Sequence, residues 1–416
     1  MGLADREYLY PQYFNNKEKV MIKKQAGFTM VELLITMVVF VFVMVAASQI
    51  FSGLLTQFKQ QSKIAETNIE GLVGLEMLRQ DLEHIGYGLP WIIPAAVSYG
   101  EATGVTAANY NDCNGTLPCN PPRAVVSGNN ITFGAFSGID YLAIKATNIA
   151  LKDASQRWTT LKMSPFSAPD NPRQWTPASE NLELTDRVIV ISPGSTDTNA
   201  RRLVDNGGTF YTTFGNVTNS PWPPTDNTET RLVYGINSTS DPTPQRPFNR
   251  ADYFITRTDQ NGTNITPQRC APNTGVLVKA PIKQDTSGNN YDTYLPLLDC
   301  VVDMQVVYAL DNDENGSFED GVGGDAYSDD IVALTAQEVR NRVKEVRVYI
   351  LAHEGQRDQN YTYPSENLAI PPAADPASGL GRPSPGINLK SLVGDPDYQY
   401  YRWKLYTLVV KPIDLR

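Results

Sequence analysis

From Phe28 to Ala47 the chain runs for 20 residues with a single charge, Glu32. At ~1.5 Å per helical residue, such a run crosses the ~30 Å hydrocarbon core of a bilayer. Lys23 and Lys24 stand just before it. Basic residues stay on the cytoplasmic side, so the rest of the chain is expected outside the membrane. An ordinary secretory signal is cut after its apolar stretch, at small residues. Here the small residue, Gly27, comes first, so a cut there would leave the anchor on the mature chain. An ionised carboxylate in lipid costs about 2–3 kcal/mol, which makes Glu32 a functional candidate.

The order Gly27-Phe28-Thr29-Met30-Val31-Glu32, with lysines upstream, resembles the class III signal of type IV pilins and type II secretion pseudopilins. The resemblance implies that a prepilin peptidase removes residues 1–27 by cutting between Gly27 and Phe28, that the new amino terminus of Phe28 is methylated, and that Glu32 directs assembly into a filament. A leader of 27 residues exceeds the family's usual handful, and Met21 offers an internal start that gives seven. The partners implied are the prepilin peptidase, the inner-membrane assembly platform, other minor pilins and the major pilin, with membrane lipid before assembly. The location implied is the inner membrane of a Gram-negative-type bacterium, single-pass with the N-terminus inside, and then a pilus at the cell surface.

Composition agrees with export. The formal charge is −10 over 416 residues, and the leader's five basic and three acidic residues leave the mature part at −12. That balance disfavours nucleic acid and anionic membrane surfaces as partners. Four cysteines fall into two local pairs, Cys113/Cys119 and Cys270/Cys300, which in an exported chain read as disulfides. Closing a loop the size of Cys270–Cys300 contributes roughly 3–4 kcal/mol in chain-entropy terms. Neither pair has the Cys-x-x-Cys spacing of a zinc site.

The pattern predicts one helix over about Phe28–Ile85, followed by a β-rich region, an α+β chain. The helix divides into a membrane half (28–56), apolar all round, and an amphipathic half (57–90) that packs on a large, mainly antiparallel β domain (91–416). Leu54, Phe58, Ile69, Leu72, Leu78, Leu82 and Ile85 recur at helical intervals as the packing stripe. Gly53, Gly71 and Gly74 read as weak points, each costing about 1 kcal/mol against alanine. Gly86-Tyr87-Gly88-Leu89-Pro90 stops the helix. Strands are expected at 130–133, 140–145, 187–191, 231–234, 275–278, 300–309, 344–352 and 401–410. Of these, Glu345–Leu351 alternates as a half-buried strand should. A short helix is expected at Thr335–Val343, and two long polar loops near 193–230 and 354–397. Loops that long are functional or disordered.

The stretches Arg79–Tyr87, Met304–Asp313 and Val343–Val348 resemble PilW-type minor pilins, although the Arg-Asn ending common there is replaced by Lys411–Arg416. Catalytic machinery is not expected. His84 and His353 are the only histidines and read as surface or capping residues, and no nucleophile elbow, P-loop, dinucleotide fingerprint or His-Glu-x-x-His occurs. One ligand-like motif exists. Asp311-x-Asp313-x-Asn315-Gly316 matches the first positions of an EF-hand-type loop, where oxygen ligands converge on Ca2+. The candidate ligands are Asp311, Asp313, Asn315, Ser317 and Glu319. Position 12 is Val322, so Glu319, Asp320 or Asp325 must supply the missing carboxylate. The expected function is a structural one, a PilW-type minor pilin that helps initiate a type IV pilus at its tip. A J-type pseudopilin of a type II secretion system and a tip adhesin using the two long loops are the alternatives.

Overall fold

The computed structural model describes residues 27–163, 169–194, 200–285 and 291–415. Of the expected leader only Gly27 is among them; Met21, Lys23 and Lys24 lie outside the described residues. The chain divides into two compact units, 1–58 and 59–416. One helix, α1 (Met30–Glu83), spans the boundary.

Fifteen strands follow among the described residues. In chain order they are β1 (Val125–Phe133), β2 (Phe136–Ala146), β3 (Trp158–Lys162), β4 (Asp186–Ser192), β5 (Arg202–Leu203), β6 (Thr212–Thr213), β7 (Thr230–Ser238) and β8 (Asn249–Thr256). Then come β9 (Gly275–Pro281), β10 (Leu295–Leu310), β11 (Ala326–Ser328), α2 (Ala336–Arg342), β12 (Val343–Glu354), β13 (Asn367–Ile370), β14 (Arg382–Asn388), α3 (Leu389–Val393) and β15 (Arg402–Val410). The main sheet runs β1-β2-β8-β9-β10-β12-β15, with β11 added to β10, and every pairing in it is antiparallel. Its neighbours β2 and β8 are separated in the chain by residues 147–248, whose strands between Trp158 and Ser238 form a second sheet, β3-β7-β4-β5 with β6 on β4. The fold is α+β, as expected, and the β region holds two sheets nested one inside the other in sequence.

Successive side chains on a strand point to opposite faces, and here both faces find partners. On β12, Val346, Val348 and Ile350 enter the main core with Leu78, Leu82 and Ile85 of the α1 end. Tyr349 and Leu351 enter a second core. That second core is filled by Ile370, Ile387, Leu389, Val393 and Trp403. The expectation of a half-buried strand is therefore corrected: the chain around 354–397, read as an open polar loop, folds as β13, β14 and α3 and covers the far face. The stretch 193–230 is likewise packed where described, with Phe210, Phe214, Val217 and Trp222 buried. On β4, Val188 and Val190 face one core while Ile189 and Ile191 face the other.

The helical stripe also needs correction. Leu78, Leu82 and Ile85 are fully buried, joined by Leu75, but Ile69 and Leu72 are 66% and 73% exposed. Only the last turns of α1 enter the core. Asp81 fixes them there, 2.7 Å from Lys279 Nζ and accepting from the Tyr253 hydroxyl at 2.5 Å. Gly86 and Gly88 adopt positive φ and end the helix as the sequence indicates. The short helix α2 starts at a capping box: Thr335 Oγ1 accepts from Glu338 N–H, and the Glu338 carboxylate accepts from Thr335 N–H.

Candidate functional site

The acidic loop leaves β10 directly. Asp311, Asp313 and Asp325 bring one carboxylate oxygen each within 4.8 Å of one another. Asp325, not Glu319, is the third carboxylate: Glu319 gives its backbone N–H to Asp325 Oδ2 at 2.9 Å. Ser317 turns inward on the loop itself, its hydroxyl donating to Asn315 Oδ1 at 3.0 Å. Asp311 accepts from the N–H groups of Asn315 and Gly316, and Lys344 Nζ lies 3.3 Å from its Oδ2. Burial works against its charge, but the Gly316 N–H and Lys344 hold its carboxyl below the usual range. Gly316, at φ 99°, makes the sharp turn the motif calls for.

Both cysteine pairs form disulfides, Cys113–Cys119 and Cys270–Cys300. His353 does not lie on the surface as expected. It is buried on β12, where its Nε2 accepts from Ala271 N–H at 2.8 Å. A ring nitrogen approaches both Cys270 and Cys300, but with the sulfurs joined to each other no thiolate remains to bind a metal. Burial pushes the imidazole down to about 3. The unfolded histidine, near ~6.5, binds a proton that the folded one refuses. Stability from this group is therefore present above about pH 6.5 and is lost as pH falls toward 3. Relative to a His353→Gln chain, the parent should lose about 2 kcal/mol between pH 7 and pH 5 in paired urea titrations. Equal slopes would refute the buried neutral imidazole. Asp140 and Asp303, raised by burial to about 8 and about 7, act in the opposite sense, and the paired comparison cancels them.

At the N-terminus, α1 begins with a capping box of its own. Glu32 N–H donates to Thr29 Oγ1 at 3.2 Å, and Thr29 N–H and its hydroxyl both reach Glu32 Oε2 at 3.4 Å. The signal was present in the sequence as Thr-x-x-Glu before an apolar run. From Phe28 to Phe58 nearly every large apolar side chain is exposed, on all sides of the helix. A helix apolar all round needs a non-aqueous surrounding, and this one is long and apolar enough to cross a membrane. Its hydroxyls bond back to the helix: Thr36 to Leu33 O, Ser52 to Ser48 O and Thr56 to Ser52 O, each at 2.9 Å. Such bonds leave those donors satisfied without water.

Residues 22–48 match the family described as the prokaryotic N-terminal methylation motif. This is a class III prepilin signal. Over that segment the chain is similar to prepilins, whose motif implies processing by a prepilin peptidase. No curated protein matches the chain. Among solved structures, a type IV-like pilin from Thermus thermophilus is similar at 14% identity over 40% of this chain and 69% of that one, with a TM-score of 0.20. At that score the likeness carries no comparison of the two folds. Within the prepilin segment the structure adds Thr29 to the residues of interest, beside Gly27, Phe28 and Glu32.

Proposed function

We propose that this chain is a minor pilin of PilW type that helps initiate a type IV pilus and resides at its tip. The observation that carries the reading is the prepilin signal over residues 22–48 at the head of an all-apolar helix. The large β domain supports low copy number, because crowding disfavours its repeated insertion along a shaft. The prepilin peptidase, the assembly platform, other minor pilins and the major pilin are the partners of this reading. A J-type secretion pseudopilin shares the same N-terminus and is its rival; loss of secretion with intact piliation in a deletion strain would favour it.

The capping box sharpens the test at Glu32. A glutamine at this position keeps the acceptor that the Thr29 cap needs while removing the charge. Glu32→Gln should insert and fold normally yet reduce pilus number about tenfold or more, because in this reading the carboxylate pairs in lipid with the free amino terminus of a neighbouring subunit. Wild-type piliation with Glu32→Gln would overturn the role of the charge. The mature protein should begin at a methylated Phe28 by mass spectrometry.

Calcium in the Asp311 loop belongs to the same proposal. Three converging carboxylates supply hard oxygen ligands, and Ca2+ would have to displace Lys344. With affinity in the ~0.1–1 mM range of extracellular modules, 10 mM Ca2+ should stabilise the full chain by about 1–3 kcal/mol. No shift in melting temperature, or the same shift in Asp325→Ala, would remove calcium from the account.

A further inference from the structure

The smaller sheet carries a surface cleft of about 540 Å3 that belongs neither to the N-terminal segment nor to the acidic loop. Trp158, which opens β3, and Trp175 line it, with ring centroids 5.0 Å apart. Trp175 is held firmly for a half-buried surface residue. Its indole N–H donates to the Trp158 carbonyl at 2.6 Å. Its backbone N–H donates to Asn181 Oδ1 at 2.6 Å, and Asn181 Nδ2 returns a bond to its carbonyl at 3.0 Å. The Arg173 guanidinium stacks 4.1 Å over the ring. Trp158 packs against the main core, but Trp175 joins no core cluster and the helical turn that follows it, Ala178–Glu180, buries none of its residues.

The polar lining is mixed in sign and in hydrogen-bonding sense. The carboxylates of Asp153 and Glu180 have no partner among the described residues. Gln156 commits its amide N–H groups to Asn148 O and Ala150 O, which leaves its carbonyl oxygen as an acceptor. Arg157 sits in the same cleft, bonded to Glu183 at 3.1 Å.

We propose that this cleft binds a carbohydrate, a neutral oligosaccharide packed on the indoles and hydrogen-bonded by Asp153 and Glu180. The volume falls within the ~300–1,000 Å3 of small-molecule sites, which pair apolar walls with a few placed polar groups. A simple cation would meet the guanidinium group of Arg157. A simple anion would meet two carboxylates. A polyol carries no charge, donates to the carboxylates, accepts from the guanidinium and lays its C–H faces on an aromatic ring. The clamps on Trp175 fix the platform before binding, which lowers the ordering cost. The inference is independent of the pilin reading.

The test uses the full chain in detergent on an array of neutral, amino and acidic oligosaccharides, with the best neutral probe then titrated by calorimetry. A neutral oligosaccharide is expected to bind, and Trp175→Ala and Glu180→Gln should each weaken it about tenfold. Ser179→Trp, which fills the cleft without removing any clamp, should abolish binding with the melting temperature unchanged and decides the matter if Trp175→Ala unfolds. Retention of no neutral oligosaccharide, equal affinity in Ser179→Trp, or preferential binding of choline chloride would overturn the proposal.

Discussion

Glu101→Ala should destabilise the β domain by about 3–5 kcal/mol, because it strips one partner from a buried ion network. Lys145 Nζ lies 2.7 Å from Glu101 Oε2, and both side chains are fully buried. Arg250, equally buried, reaches the same Oε2 at 3.0 Å and pairs with Asp252 at 2.7 Å. Asp112 accepts from Lys145 and bonds Arg123 at 2.6 Å. Arg250 also reaches Ala107 O at 2.9 Å and Asn111 Oδ1 at 2.8 Å. Removing Glu101 leaves Lys145 and Arg250 with surplus charge in a place water cannot reach. The exposed pair Lys390–Asp395 is the contrast, since such pairs contribute about 0–1 kcal/mol. Urea titration of Glu101→Ala beside Asp395→Ala checks the ranking; equal losses would mean that the network is hydrated and replaceable.

Gly74→Ala should also destabilise, although alanine favours a helix by about 1 kcal/mol. A Cβ on Gly74 would stand 1.9 Å from the Leu297 carbonyl oxygen and 2.5 Å from its carbon, both backbone atoms. The helix would have to leave β10, and overpacking of this kind costs about 1–3 kcal/mol. At Gly71 the added carbon meets only the Leu298 Cδ1 tip at 2.7 Å, which can rotate away, and at Gly53 it meets nothing within 4 Å. The order of stability changes should therefore be Gly53→Ala neutral or favourable, Gly71→Ala intermediate and Gly74→Ala clearly unfavourable. A uniform gain across all three would show that helix propensity governs these positions and close packing does not.

These three glycines show what the sequence could and could not tell. By composition they are equivalent weak points; the approach of β10 to one side of the helix, which separates them, is a tertiary fact. The N-terminal segment was legible because a membrane imposes strict length and polarity rules, and because the Gly-Phe…Glu order is local. Expected strands such as 187–191 and 344–352 coincide with β4 and β12 because β-branched runs are local too. Strand β8 was missed. Arg250 and Asp252 alternate with Ala251 and Tyr253 like a solvent-facing edge, yet all four are buried, and the Arg250 partners Glu101 and Asn111 lie more than a hundred residues upstream. His353 misled for the same reason: its neighbours Tyr401 and Trp403 come from β15 and the residue just before it. In the acidic loop the motif located the carboxylates, but which of Glu319, Asp320 and Asp325 turned inward depended on the path of the loop.

The nesting of one sheet within the other sets a timetable. All strands of the smaller sheet come from a single contiguous stretch, Trp158 to Ser238, so they can pair as soon as that stretch has emerged. The larger sheet must hold β2 open until β8 arrives on the far side of residues 147–248, and long-range closure of that kind is slow. A chain delivered from its anchored end outward thus completes the tryptophan cleft before it completes the floor on which the last turns of α1 rest. During that interval Leu78, Leu82 and Ile85 lack their partners on the later strands of the larger sheet, and apolar surface left open in this way is prone to aggregation.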